Sequence, residues 1–213
     1  MYGLLFDNSG MVIWVMWIII LCSLAAMTII GERFWSLQKK YISPPNLVAQ
    51  VQQWLERKEL DDARINLLGQ TSPLGRILAA GLANRLSPRY IVKEAIEDTG
   101  RHVIPELERW LGGLGTIAVI TPFLGLLGTV LGMIQMFYGL SDMGAADPIV
   151  VAGGISSALI TTAAGITVAI PCVMAHRFFR AKVDSLIIDM EQEAIKLVDM
   201  LHDKPQKSSS VNY

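Results

Sequence analysis

The sequence predicts an all-α integral membrane protein with three transmembrane helices, the N-terminus outside and the C-terminus inside, and long helices extending past the lipid on the inner side. Three observations carry that prediction. The 213 residues are 52% hydrophobic and only 17% charged, too apolar for an ordinary water-soluble domain. Three apolar stretches are each long enough, at about 1.5 Å per helical residue, to cross a bilayer core of roughly 30 Å. The 18 Lys and Arg lie only in Arg33 to Arg109 and Arg177 to Lys207, and none falls in 1–32 or 110–176. Basic residues mark the cytoplasmic side, so this segregation sets the orientation.

In chain order, residues 1–10 form an external N-terminus and 11–30 the first span, a run broken only by Ser23 and Thr28. A cleaved signal peptide is the competing reading of that run. Its length, and the lack of Lys and Arg before it, argue for a retained helix. Residues 31–110 form an inner-side helical region. Asn46 is placed to cap a helix with Leu47, Val51, Trp54 and Leu55 on one face, and Ser72 with Pro73 opens another carrying Leu74, Ile77, Leu78 and Leu82. Ser87 and Pro88 repeat the start signal, while Gly69 and Ser43-Pro44-Pro45 punctuate. These short helices are too small for an independent enzyme domain and rest on extensions of the long spans.

Residues 111–140 form the second span, 141–148 ("SDMGAADP") a tight external turn, and 149–176 the third span. Between Trp110 and His176 the only formal charges are Asp142 and Asp147, both in that turn. Residues 177–203 continue as an inner-side helix with Phe179, Val183, Leu186, Met190, Leu197 and Leu201 in a stripe. Such a stripe needs a neighbour without saying whether that is the chain's own helices or a second copy. Residues 204–213 have no apolar periodicity and are expected to be disordered.

Several function classes are disfavoured. A net charge of −1, with no basic stripe interleaved with aromatics, argues against nucleic acid. Cys22 and Cys172 sit inside spans and read as small apolar fillers, with neither a metal site nor a cofactor expected. "GGISSA" faintly resembles the glycine-serine loop of an intramembrane serine protease, but the nearest base, His176, is about 28 Å from Ser157 along one helix. An enzyme is therefore not expected.

Small residues dominate what remains. Thr121, Gly125, Gly128, Thr129 and Gly132 share one face of the second span, and Gly154, Ala158, Thr161, Gly165 and Ala169 share one face of the third. In lipid, close approach of small-residue faces supplies the packing that hydrophobicity cannot, and hydroxyls bond across. That accounts for Gly125, Gly128, Gly132, Gly154 and Gly165 as helix-packing residues. For each Ser or Thr, spacing alone leaves open a structural role or a polar lining.

"TPFLGLLGTVLGM" (121–133), a short turn, and then "GGISSALITTAAGITVAIP" (153–171) together resemble the paired signature of the MotA/TolQ/ExbB proton-channel family. The three-span layout is similar to its ExbB and TolQ branch, with ExbB-like members first and TolQ-like members a close second. The resemblance implies a homopentamer in the bacterial inner membrane around the single transmembrane helices of an ExbD-like or TolR-like partner. Such a complex uses proton flow to drive a TonB-like or TolA-like protein. By motif position it also implies that Thr129, Ser157 and Thr162 line the pore or contact the partner helix. Ser157 departs from the family, standing where many members carry a glutamate, and Gly153 replaces a proline. A hydroxyl does not titrate near neutral pH, so any proton carrier in the membrane must come from the partner. A passive membrane scaffold is the reading from a different class.

Overall fold

The computed structural model describes residues 10–57, 59–143 and 148–202. Most of the stretch expected to form an external N-terminus, the centre of the expected turn and the tail from 204 onward lie outside the described residues. Among the described residues all regular structure is helical: α1 (Gly10–Ser36), α2 (Lys39–Ile42), α3 (Leu47–Glu56), α4 (Asp62–Thr71), α5 (Pro73–Ala83), α6 (Arg89–Glu108), α7 (Leu111–Met143) and α8 (Pro148–His202). Three helical stretches are long and apolar enough to cross a membrane. α7 continues through Ser141, Asp142 and Met143, and α8 begins at Pro148. The chain divides into two units, one of Met1–Phe34 with Trp110–Arg180 and one of Trp35–Arg109 with Ala181–Tyr213.

The first unit holds most of α1, all of α7 and the first part of α8. Its helices are apolar nearly all round, as lipid-embedded helices are. Val15, Ile19 and Ala26 of α1 are buried, while Trp14, Trp17, Leu21, Leu24 and Met27 remain exposed. In this unit's part of α7 and α8 the buried positions are Leu111, Leu114, Ala118, Thr121, Gly125, Gly128, Ala158, Thr161, Gly165, Ala169, Cys172 and Phe179. Pro122 sits inside α7 and Pro171 inside α8. Both are compatible with a membrane helix, where neighbouring helices and hydroxyls compensate the lost backbone bond. Between α6 and α7 the chain breaks at Trp110, whose φ of 64° is left-handed, and the Leu114 N–H then bonds the Trp110 carbonyl at 3.0 Å.

The second unit packs α2 to α6 with the remainder of α8. Ser72 caps α5 as expected: its hydroxyl accepts from the Gly75 N–H at 3.0 Å, Pro73 follows in the first turn, and Leu74, Ile77, Leu78 and Leu82 are all buried. Gly81 lies where α5, α6 and α8 converge, since a Cβ there would meet Ile96 Cδ1 at 2.9 Å and Leu197 Cδ2 at 3.1 Å. The α8 stripe in this unit, Val183, Leu186, Met190 and Leu197, is buried within the chain itself. Arg76 with Glu106 joins α5 to α6, Arg89 with Asp199 joins α6 to α8, and Lys39 pairs with Asp189 of α8 at 2.6 Å.

Three start and stop signals act differently from the sequence reading. Asn46 occupies the N-cap of α3 but is left-handed, with φ 68°, and its side chain makes no capping bond. Burial of Leu47, Val48 and Val51 holds that helix instead. Pro88, not Ser87, is the N-cap of α6, because the Ser87 N–H is taken by the Asn84 carbonyl at 2.9 Å in the preceding turn. Gly69 does not interrupt: α4 runs through it to Thr71 and stops at the extended Ser72. The glycine that this junction requires is Gly75, where a Cβ would lie 2.3 Å from the Leu68 carbonyl oxygen.

Candidate functional site

The two small-residue faces meet. Along the antiparallel α7–α8 seam, a Cβ on Gly125 would stand 2.8 Å from the Thr161 carbonyl oxygen, and one on Gly165 would stand 2.5 Å from the Thr121 carbonyl oxygen. At Gly128 it would meet the Thr161 hydroxyl at 2.5 Å, at Gly132 the Ala158 Cβ at 3.0 Å, and at Gly154 the Met136 Cγ at 3.1 Å. Backbone opposes backbone at Gly125 and Gly165, so no side-chain rotation relieves a methyl there. All five expected packing glycines lie on this seam. At the far end of the same seam Gly115 faces His176, whose Nε2 would be 3.0 Å from a Cβ.

The close approach brings hydroxyls of one helix to a carbonyl of the other. Thr162 donates to the Gly125 carbonyl at 3.0 Å, and Thr161 reaches the same oxygen at 3.2 Å while also donating to Ala158 O at 2.7 Å. In an α-helix the Gly125 carbonyl already accepts from the N–H of residue 129, so these bonds add to that pairing. Thr129 itself donates to Leu126 O at 2.6 Å within α7. Thr121, fully buried, donates to Ile117 O at 2.6 Å.

Of the three expected lining residues, Thr162 thus takes part in the interhelical bond while Thr129 bonds only within its own helix. Both side chains are partly exposed. Ser157 belongs to α8, but its side chain lies outside the described residues. The spacing had grouped Thr161 with the packing face; its carbonyl, lying against Gly125, and its hydroxyl make it a centre of the seam. Gln135 was missed altogether. It is an amide in the C-terminal half of α7, and its Nε2 is buried without a hydrogen-bond partner. An uncharged amide inside an apolar run was the available signal.

Between Thr121 and Gly165 the described residues of the seam offer hydroxyls and carbonyls and no carboxylate, amine or guanidinium. Among the described residues no group of His, Cys, Asp and Glu is arranged to hold a metal ion. That stretch can hydrogen-bond a polar group brought to it, but its hydroxyls release no proton near neutral pH.

Residues 69–192, running from α4 into α8 and containing the whole seam, match the MotA/TolQ/ExbB proton channel family. The chain is 34% identical over 171 residues to a putative biopolymer transport protein ExbB-like 1 of Synechocystis, covering 76% of this chain and 65% of that protein. It is 31% identical over 150 residues to the biopolymer transport protein ExbB of Salmonella typhimurium, covering 62% of each. It is also 39% identical over 103 residues to the Tol-Pal system protein TolQ of Pseudomonas aeruginosa, covering 48% of this chain and 45% of TolQ. The matched part therefore spans between about half and two thirds of these relatives' lengths. With more than half of its length matched, including both helices of the seam, the chain belongs to the MotA/TolQ/ExbB proton channel family.

Proposed function

We propose that this chain is an ExbB-like subunit of a proton-driven motor in the bacterial inner membrane. In this reading several copies, five by family likeness, surround the membrane helices of an ExbD-like partner. The complex energises a TonB-like protein for active transport across the outer membrane. In this reading the N-terminus is periplasmic and the C-terminus cytoplasmic, an orientation supported by the confinement of Lys and Arg to 33–109 and 177–207. The observation that carries the reading is the α7–α8 seam, whose stretch from Thr121 to Gly165 is a close-packed, hydroxyl-bearing wall with no carboxylate among its described side chains. It supplies hydrogen bonds, while the partner supplies the membrane acid that carries the proton.

An uncompensated charge in a span would cost about 3 kcal/mol or more, so a partner acid needs a polar wall of this kind. The test uses Thr129→Val and Thr162→Val, which keep the shape and delete one hydroxyl each. Complex formation should persist while energised uptake falls at least several-fold, and Ser157→Ala should be milder. If both Val variants assemble and drive uptake normally, these threonines are helix glue and the lining role is wrong.

A TolQ-like subunit in envelope maintenance is the second reading, supported by the likeness to TolQ of Pseudomonas aeruginosa. A passive scaffold is the third, favoured by the serine at position 157. A neighbouring gene for a single-span protein with one membrane aspartate separates either motor from the scaffold.

A further inference from the structure

The direction of the threonine hydrogen bonds carries an inference that rests on the proposed role of the α7–α8 wall. A threonine hydroxyl has one proton and two lone pairs. In the first unit every described threonine places that proton on a backbone carbonyl. Thr28 gives it to Leu24 at 2.9 Å, Thr116 to Gly112 at 2.9 Å, Thr121 to Ile117 at 2.6 Å and Thr129 to Leu126 at 2.6 Å. On α8, Thr161 gives it to Ala158 at 2.7 Å, Thr162 to Gly125 at 3.0 Å and Thr167 to Ala163 at 2.7 Å. What these side chains present outward is lone pairs.

The backbone adds to the same bias. Pro122 and Pro171 have no N–H, so the carbonyls four residues earlier, on Ala118 and Thr167, lose their helical donor and become further acceptors. Donors are scarce. The Gln135 Nε2 is buried, and the exposed hydroxyls that remain as donors on this pair of helices are Ser156 on α8 and Tyr138 toward the end of α7. The charged and titratable groups of this unit stand toward the two ends of the spans, Glu32, Arg33, His176, Arg177 and Arg180 at one and Tyr138 and Asp142 at the other, with the thiols of Cys22 and Cys172 between them.

We propose that the α7–α8 wall is selective for hydrogen-bond donors, so that through Thr129 and Thr162 it holds a membrane carboxylic acid in its neutral, protonated form in preference to the carboxylate. The physical logic is that of carbonyl-lined filters, where oxygen lone pairs in a low-dielectric site favour the species that offers positive charge or a proton. A protonated carboxyl donates to Thr129 or Thr162 without disturbing their bonds. A carboxylate must first break the Thr162 bond to Gly125 or the Thr129 bond to Leu126. The wall therefore raises the pH at which an acid beside it gives up its proton.

The sign of a titration tests this. The probe is a synthetic leucine-alanine transmembrane peptide with one 13C-carboxyl-labelled aspartate at mid-membrane, reconstituted in liposomes with the full-length protein and titrated by NMR. Its association is read in parallel by fluorescence energy transfer. Wild type should shift the aspartate midpoint upward relative to peptide alone. Thr129→Val and Thr162→Val should each bring it down by about 0.5–1 pH unit. Thr162→Ser, which restores the hydroxyl, should recover the upward shift, and Ser156→Ala should not lower the midpoint. Val variants that leave the midpoint unchanged, or raise it, while the peptide stays associated overturn the donor selectivity and leave the wall's role as partner seat standing. A peptide that does not associate with wild type overturns the seat and the inference together.

Discussion

At Gly165 and Gly125 the helices meet backbone to backbone, which makes these two residues the most demanding in the membrane unit. A methyl at Gly165 would lie 2.5 Å from the Thr121 carbonyl oxygen. Gly165→Ala or Gly125→Ala should therefore force the seam apart and cost about 1–3 kcal/mol, the usual price of overpacking a tight contact. The check is thermal unfolding in mild detergent, with Gly153→Ala as the control, because nothing lies within 4 Å of a Cβ there. A Gly165→Ala melting curve equal to wild type would rule out the close approach. In the second unit the Arg76 hydrogen bond holds the Glu106 carboxyl below its ordinary range. A depressed carboxylate contributes stability above its unfolded value and loses it as pH falls through the folded value. Glu106→Gln should accordingly cost about 0.5 kcal/mol at neutral pH, a half-exposed pair being worth little. The gap to wild type should close in acid, and a gap that widens there would contradict the pairing. The packing glycines were legible in the sequence because their spacing alone places them on one face. The Thr161 and Thr162 bonds to Gly125 were not, since they depend on the register between two helices, which neither helix's periodicity fixes.

Among the elements, α5 shows a start signal that works and α3 one that does not. Ser72 and Pro73 are read correctly because the capping hydroxyl and the first-turn proline act locally, within three residues. Ser72→Ala should destabilise the second unit by about 1 kcal/mol, measured by chemical denaturation; no loss would mean the Gly75 bond is not a functioning cap. Asn46, Ser87 and Gly69 misled because each has a second use. Asparagine tolerates the left-handed conformation as readily as it caps. Ser87 is drawn into the turn before Pro88, and Gly69 sits where α4 is held from outside by Ile65 and Leu68, both buried. The α8 stripe left its partner open in the sequence, since periodicity reveals a buried face without its cover. The buried Val183, Leu186, Met190 and Leu197 resolve that within the chain itself.

For the whole molecule, charge placement and apolar length fixed the three-helix reading, because both act over twenty residues or more and survive local ambiguity. Orientation rests on the same segregation. A reporter fused at Met143 should be external, and one at Arg76 or Lys204 internal; an internal Met143 would overturn the three-span arrangement. The functional account turns on a division of labour, with this chain furnishing hydroxyls and a partner furnishing the acid. Proton flux into liposomes tests that division most directly, comparing this protein alone, this protein with a single-span partner bearing a membrane aspartate, and the same pair with that aspartate changed to asparagine. The account predicts flux only from the intact pair. Flux from this protein alone, or undiminished flux with the asparagine partner, would contradict it.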